Sequence, residues 1–200
     1  MKVVLIRHPA PAIVPGMCYG RLGVGVHPAA HPLIDRIAAD PALQGAAQVW
    51  TSPALRCRGL AETIALTLAV PISVDERLQE LDFGTWEGLA WNAISRADLD
   101  RWAASPSDFA PPGGESGAAL VARIRTFHTC LLAARQDCVV VTHGGPLKVL
   151  IPLLTGDAVD LLAAAPPMGS IRTIACPAPW SPRIRRKARR RNAGYNSFPE

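Results

Sequence analysis

The sequence predicts an α/β fold, a three-layer sandwich in which a mostly parallel central sheet is flanked by helices. Three observations carry that reading. Short, uncharged, β-branched runs occur at 3–6 and 139–141, and such runs suit strands buried on both faces of a parallel sheet. Stretches with helical spacing of apolar residues alternate with the strands. The two strongest strands each lead into a histidine, His8 after the first and His143 after the second.

Residues 2–6 form the first strand. Residues 9–32 are rich in proline and glycine and read as a loop of the kind that lines active sites, with a helix around 32–39. A second strand at 46–50 leads into Thr51-Ser52-Pro53. Ser52 suits an N-cap and Pro53 the first helical position, so a helix is expected from there to about 68, with Leu60, Ile64 and Leu68 on one face. Residues 72–74 make a third short strand. Residues 75–90 mix charges, aromatics and glycines and read as a second functional loop. A helix is expected over 91–104, before the break at Pro111-Pro112-Gly113-Gly114. A long helix follows from Glu115 to Ala134. The chain ends its pattern with a strand at 138–142, a helix at 146–154 and an edge strand at 171–176. No internal repeat divides it. The expected organisation is one domain over 1–176 and a basic, disordered tail over 177–200.

The 200 residues suffice for one well-cored domain, and 49% hydrophobic residues mark it as globular. The net charge of +5 belongs to the tail. Seven basic residues lie between Arg183 and Arg191, with Glu200 the lone acid there, so the remaining chain is close to neutral. The tail could touch an acidic surface weakly, but no aromatics are interleaved with its arginines to stack on bases, so nucleic acid is not the expected partner. Five cysteines form no C-x-x-C pair and no zinc-like cluster, which suits reduced thiols in a cytoplasmic protein. The opening apolar run is too short for a signal peptide, and no stretch reaches the roughly 20 apolar residues of a membrane span. The oligomeric state stays open, a homodimer among the options.

In open α/β sheets ligands bind beyond the carboxyl ends of the strands. Arg7 and His8 sit there, Arg56 lies in the first turn of the helix after the second strand, and His143 precedes Gly144-Gly145 at a helix start. Two guanidinium groups suit a phosphate dianion, and helix amino termini add N–H donors. A neutral imidazole can attack phosphorus, and a second, protonated one can hold the phosphoryl oxygens. Glu80 or Asp82, in the loop after the third strand, could protonate a leaving oxygen. Taken singly, each histidine also reads as a structural residue, and Arg56 as a solvated one.

Four segments together resemble the histidine phosphatase superfamily, the phosphoglycerate mutase-like fold. They are Leu5-Ile6-Arg7-His8; Thr51-Ser52-Pro53-Ala54-Leu55-Arg56 with Glu62-Thr63; the run from Leu78 through Glu80, Phe83, Gly84 and Trp86 to Gly88; and Val141-Thr142-His143-Gly144-Gly145. The resemblance implies a phosphomonoesterase that needs neither metal nor other cofactor. It implies that His8 is phosphorylated, that Arg7, Arg56 and His143 complete the phosphate pocket with Gly144 at its edge, and that Glu80 donates the proton, with Asp82 as the fallback. The partner implied is a small phosphate monoester. Gly16-Met17-Cys18-Tyr19-Gly20-Arg21-Leu22 resembles the loop of α-ribazole phosphatase-like members, which remove a 5′-phosphate late in cobalamin assembly. On that likeness Tyr19, Gly20 and Arg21 join the substrate-binding residues, with a loop tyrosine packed on the core and a solvated arginine as the alternative. A broad sugar-phosphate or nucleotide phosphatase, or a non-catalytic phosphate-binding module with a basic tail, are the other readings. The chain departs from the family pattern at Pro9 and Ala10, where glycine and an acidic residue are usual, and at Gly23, where aspartate is expected.

Other chemistries fit poorly. No cysteine is followed six residues later by the arginine that a cysteine phosphatase needs; those positions hold Val24, Thr63, Gln136, Gly144 and Pro182. His27 and His31 have metal-like spacing but lie among prolines without the glutamate of H-E-x-x-H, and no phosphate-binding glycine loop of the nucleotide type occurs.

Overall fold

The computed structural model describes residues 1–176; the arginine-rich segment lies outside the described residues. Five strands form one sheet: β1 (Lys2–Arg7), β2 (Gln48–Thr51), β3 (Ile72–Val74), β4 (Cys138–Thr142) and β5 (Ile171–Ala175). Their order is β3-β2-β4-β1-β5. The first four run parallel and β5 pairs antiparallel with β1 at the edge. Leu5 lies beside Val140, and Val49 beside Val139.

Alternate strand residues point to opposite faces, and each face carries its own core. Val3, Leu5 and Val140 pack against α4 (Gly117–Ala134) and α5 (Gly144–Thr155), among them Ile124, Phe127, Leu147 and Leu150. Val4, Ile6, Val139 and Val141 pack against α1 (His31–Ala38) and α2 (Leu55–Leu68), through Ile37, Leu60 and Ile64. This is the expected three-layer arrangement. A third, smaller cluster of Cys18, Trp86 and Ile94 ties the loop after β1 to the segment between β3 and α4.

Helix starts differ from the sequence pattern in instructive ways. The 91–104 stretch is a 3₁₀ turn at Trp91–Ala93, a buried Ile94, and then α3 (Arg96–Ala104). Helix α4 begins at Gly117 with Ser116 as its N-cap, so Glu115 is left free to form ion pairs. Helix α5 begins two residues before Pro146, because a proline in the first turn has no intrahelical bond to lose. Ser52 is not the cap of α2. Ala54 takes that place with no side-chain bond, and the Ser52 hydroxyl turns inward to His143.

Candidate active site

The carboxyl ends of β1, β2 and β4 meet at two imidazoles. The His8 and His143 rings are both fully buried, with centroids 5.0 Å apart. His8 is held by its backbone, whose N–H donates to the Thr142 carbonyl at 3.0 Å. Its Nδ1 lies 2.6 Å from the Pro9 carbonyl. A carbonyl can only accept, so Nδ1 carries the proton and Nε2 keeps its lone pair. Burial pushes the His8 pKa down to about 3, against the pull of the Pro9 carbonyl, and Arg56 and Arg7 push the same way as burial. The ring is therefore neutral across the physiological range. Pro9 takes part through its carbonyl, which proline retains, so the missing N–H leaves the orientation of His8 intact.

Arg56 is fully buried, with Nη2 donating to the Gly20 carbonyl at 2.6 Å and Nη1 to the Leu22 carbonyl at 3.1 Å. It thereby pins the loop that carries Tyr19, whose ring stands edge-on to His8 at 6.4 Å. Arg7 donates through Nη1 to the Pro166 carbonyl at 2.7 Å. Among the described residues three buried side-chain nitrogens have no hydrogen-bond partner: Arg7 Nε, His8 Nε2 and Arg56 Nε. Buried polar atoms are seldom left unpaired, and three orphans in one cluster of two guanidinium groups and an imidazole lone pair point to a ligand. Two N–H donors and one nucleophile match a phosphoryl group.

His143 Nε2 is 2.7 Å from the Ser52 hydroxyl and 3.5 Å from the Cys57 sulfur. Burial lowers its pKa well below the usual range, and Arg56, His8, Arg123 and Arg7 add to that. Surrounded by protein charges alone, His143 is neutral. The dianion of a bound phosphate acts with the opposite sign.

Glu80 lies across from the histidines. Its Oε1 accepts from the Leu81 N–H at 2.9 Å and from the Gly145 N–H at 3.0 Å, at the start of α5. Its backbone is clamped by Arg123, which donates to the carbonyls of Gln79 at 2.7 Å and Glu80 at 3.0 Å. Asp82 turns away: it caps the Gly84 N–H at 2.9 Å and pairs with Arg21 at 3.3 Å. Two cavities flank Gly20 and Glu80. One, of about 240 Å³, is lined by Arg56 and His143; the other, of about 270 Å³, by Arg7, Tyr19, Gly144 and Gly145.

A family model for the histidine phosphatase superfamily, branch 1, matches residues 3–174. The chain belongs to the histidine phosphatase superfamily. Within it, the bifunctional protein Rv2228c of Mycobacterium tuberculosis is 36% identical over 114 residues, which is 54% of this chain and 31% of that protein. The chain thus spans about a third of that relative's length. Phosphoserine phosphatase 1 of Hydrogenobacter thermophilus is 26% identical over 80% of this chain and 78% of its own. The crystal structure of the α-ribazole phosphatase from Shigella flexneri superposes with a TM-score of 0.79 at 21% identity, covering 88% of this chain and 90% of that one, a likeness of fold.

Of the superfamily residues expected from sequence, the fold brings His8, Arg7, Arg56, His143, Tyr19, Gly20, Glu80 and Gly144 together. Arg21 lines the cavity that holds Arg56 and His143, with its guanidinium paired to Asp82 and Glu115 at the rim. Gly20 (φ +30°) is needed because a Cβ there would overlap the Glu87 carboxylate, which accepts from the Arg21 N–H at 2.8 Å. Sequence reasoning missed Ser52, Cys57 and Arg123. Among the described residues no three His, Cys, Asp or Glu side chains are grouped to hold a metal ion. No helix there is long and apolar enough to cross a membrane.

Proposed function

We propose that this protein is a metal-independent phosphomonoesterase that works through a phosphohistidine. The observation that carries the reading is the set of three unpartnered buried nitrogens, Arg7 Nε, His8 Nε2 and Arg56 Nε. The two Nε–H groups hold the phosphoryl oxygens, and their positive field takes up the charge that develops in transfer. His8 Nε2 attacks phosphorus as the ester P–O bond breaks, and the Glu80 carboxyl gives its proton to the departing oxygen. Glu80 then takes a proton from water as that water attacks the phosphohistidine, releasing phosphate and restoring the imidazole. Glu80 suits this role better than Asp82, whose oxygens are committed to Gly84 and Arg21.

α-Ribazole 5′-phosphate is the substrate we favour, on the strength of the Gly16–Leu22 loop and the Shigella structure. All five cysteines are unpaired, which supports a reducing, cytoplasmic setting. Hydrolysis of p-nitrophenyl phosphate in excess EDTA tests the reading. Wild type should keep its activity in the chelator, and His8→Ala should lose at least 1,000-fold, on the order of a lost nucleophile. No turnover across a panel of phosphomonoesters, α-ribazole 5′-phosphate included, would refute it.

A further inference from the structure

The larger cavity beside Glu80 has two chemically different walls. One is polar, formed by Arg7, Glu80 and the start of α5. The other is aromatic, built by Phe83, Trp91 and Trp102 from the segment between β3 and α4. The Trp91 and Trp102 rings lie 16° from parallel with centroids 6.2 Å apart. Phe83 meets both edge-on, at 5.4 and 6.0 Å, which fixes their orientation. All three rings are only half-buried, so apolar surface remains open to the cavity. Lys148 also lines it, with one N–H given to the Leu161 carbonyl at 3.1 Å and its other protons available to an acceptor.

We propose that this cavity is the leaving-group subsite and that its aromatic wall selects phosphomonoesters whose alcohol carries a flat heteroaromatic ring. The proposal rests on the phosphomonoesterase reading, because it places the leaving oxygen at Glu80. A planar ring stacks on Trp91 and Trp102, while Lys148 donates to a ring nitrogen or hydroxyl. A zwitterionic amino-acid alcohol has no flat ring to lay on this wall, so the three rings add little to its binding beyond what Lys148 gives its carboxylate. At about 270 Å³ the space is just below the roughly 300–1,000 Å³ of small-molecule sites, enough for one ring system and little more.

Ribose 5-phosphate, adenosine 5′-monophosphate and α-ribazole 5′-phosphate lose the same primary alkoxide, so a difference in kcat/KM among them reads the ring. At least one ring-bearing ester should lead ribose 5-phosphate by roughly 10- to 100-fold, the range expected for one stacked base. Trp91→Leu should cut that lead below threefold, and Trp102→Leu serves if the first variant misfolds. Adenosine should quench the tryptophan fluorescence of the full-length protein saturably, and ribose should not. Turnover of p-nitrophenyl phosphate with all three ribose esters within threefold of one another would overturn the subsite alone. Adenosine quenching with no turnover of any ester would instead overturn the phosphatase reading. Absence of saturable quenching up to millimolar adenosine, in an active enzyme, also counts against the subsite.

Discussion

Replacing Gly145 by alanine tests the placement of the proton donor without touching any reacting group. Gly145 is the second residue of α5, and its N–H donates to Glu80. A Cβ built there overlaps Glu80 Oε1, while its next neighbours stand at ordinary contact distance. The carboxylate must therefore withdraw by on the order of 1 Å to regain van der Waals separation. Glycine is no asset to the helix itself, and alanine should stabilise it by about 0.5–1 kcal/mol. The variant is thus expected to melt at or above the wild-type temperature. Its chemistry should suffer, because a displacement of about 1 Å can cost about 100-fold when the group must meet the leaving oxygen. The loss should appear in kcat for alkyl phosphates, whose alkoxide needs the proton, and stay below about threefold for p-nitrophenyl phosphate, whose phenolate leaves unaided. Glu80→Gln should show the same pattern more strongly. Equal slowing of both esters, or a wild-type rate with the alkyl ester, would refute the assignment of Glu80 and return Asp82 to consideration.

Three further outcomes are expected. Both site histidines are buried neutral, so between pH 6.5 and 3 the unfolded chain binds protons that the folded one does not, and stability rises with pH across that window. From pH 7 to 5 His8 alone should withdraw about 2 kcal/mol, and thermal melts of His8→Asn should show a correspondingly shallower loss; parallel curves would contradict a depressed His8 pKa. Arg56→Lys should lower kcat/KM by at least roughly 100-fold, since an ammonium can neither replace the Nε–H donor nor hold both loop carbonyls, and raise proteolysis in the 9–27 loop by freeing the Gly20 and Leu22 carbonyls; wild-type kinetics would exclude Arg56 from the phosphate site. Deleting residues 183–200 should leave turnover of small esters near normal, and a large loss would place that segment in the site.

Much of the fold was legible because its signals are local. Val3–Ile6 and Cys138–Thr142 are buried on both faces, and that shows as an unbroken apolar run. Chain order and proline positions then leave few arrangements for the helices. Boundaries were harder, and for a shared reason. At Ser52 and Glu115 a residue suited to a helix start is drawn instead into a long-range contact, with His143 in one case and with Arg21 and Arg123 in the other. Capping preferences describe a helix end in isolation and cannot register a better partner 91 residues away.

The same distinction divides the site. The residues proposed to act on the ligand stand at strand ends or in the first turn of a helix, in motifs a few residues long, so His8, Arg56 and His143 were legible once the motifs were taken together. Residues that hold those groups in place act across the chain and carry no local mark. Arg123 sits mid-helix and reads as one more charged residue of α4. Its guanidinium nevertheless ties the 77–80 backbone to Glu115, while Glu115 in turn pairs with Arg21 of the loop beside Tyr19. Arg21 lines the cavity of Arg56 and His143 and also joins the loop beside His8 to the segment bearing Glu80, while Arg56 fastens that same loop from inside. Partly buried ion pairs of this kind contribute modestly to stability, and here they link three separate segments around the site. The reaction we propose needs that constraint, since Glu80 and the fully buried His8 come from segments more than seventy residues apart and would have to meet one phosphoryl group.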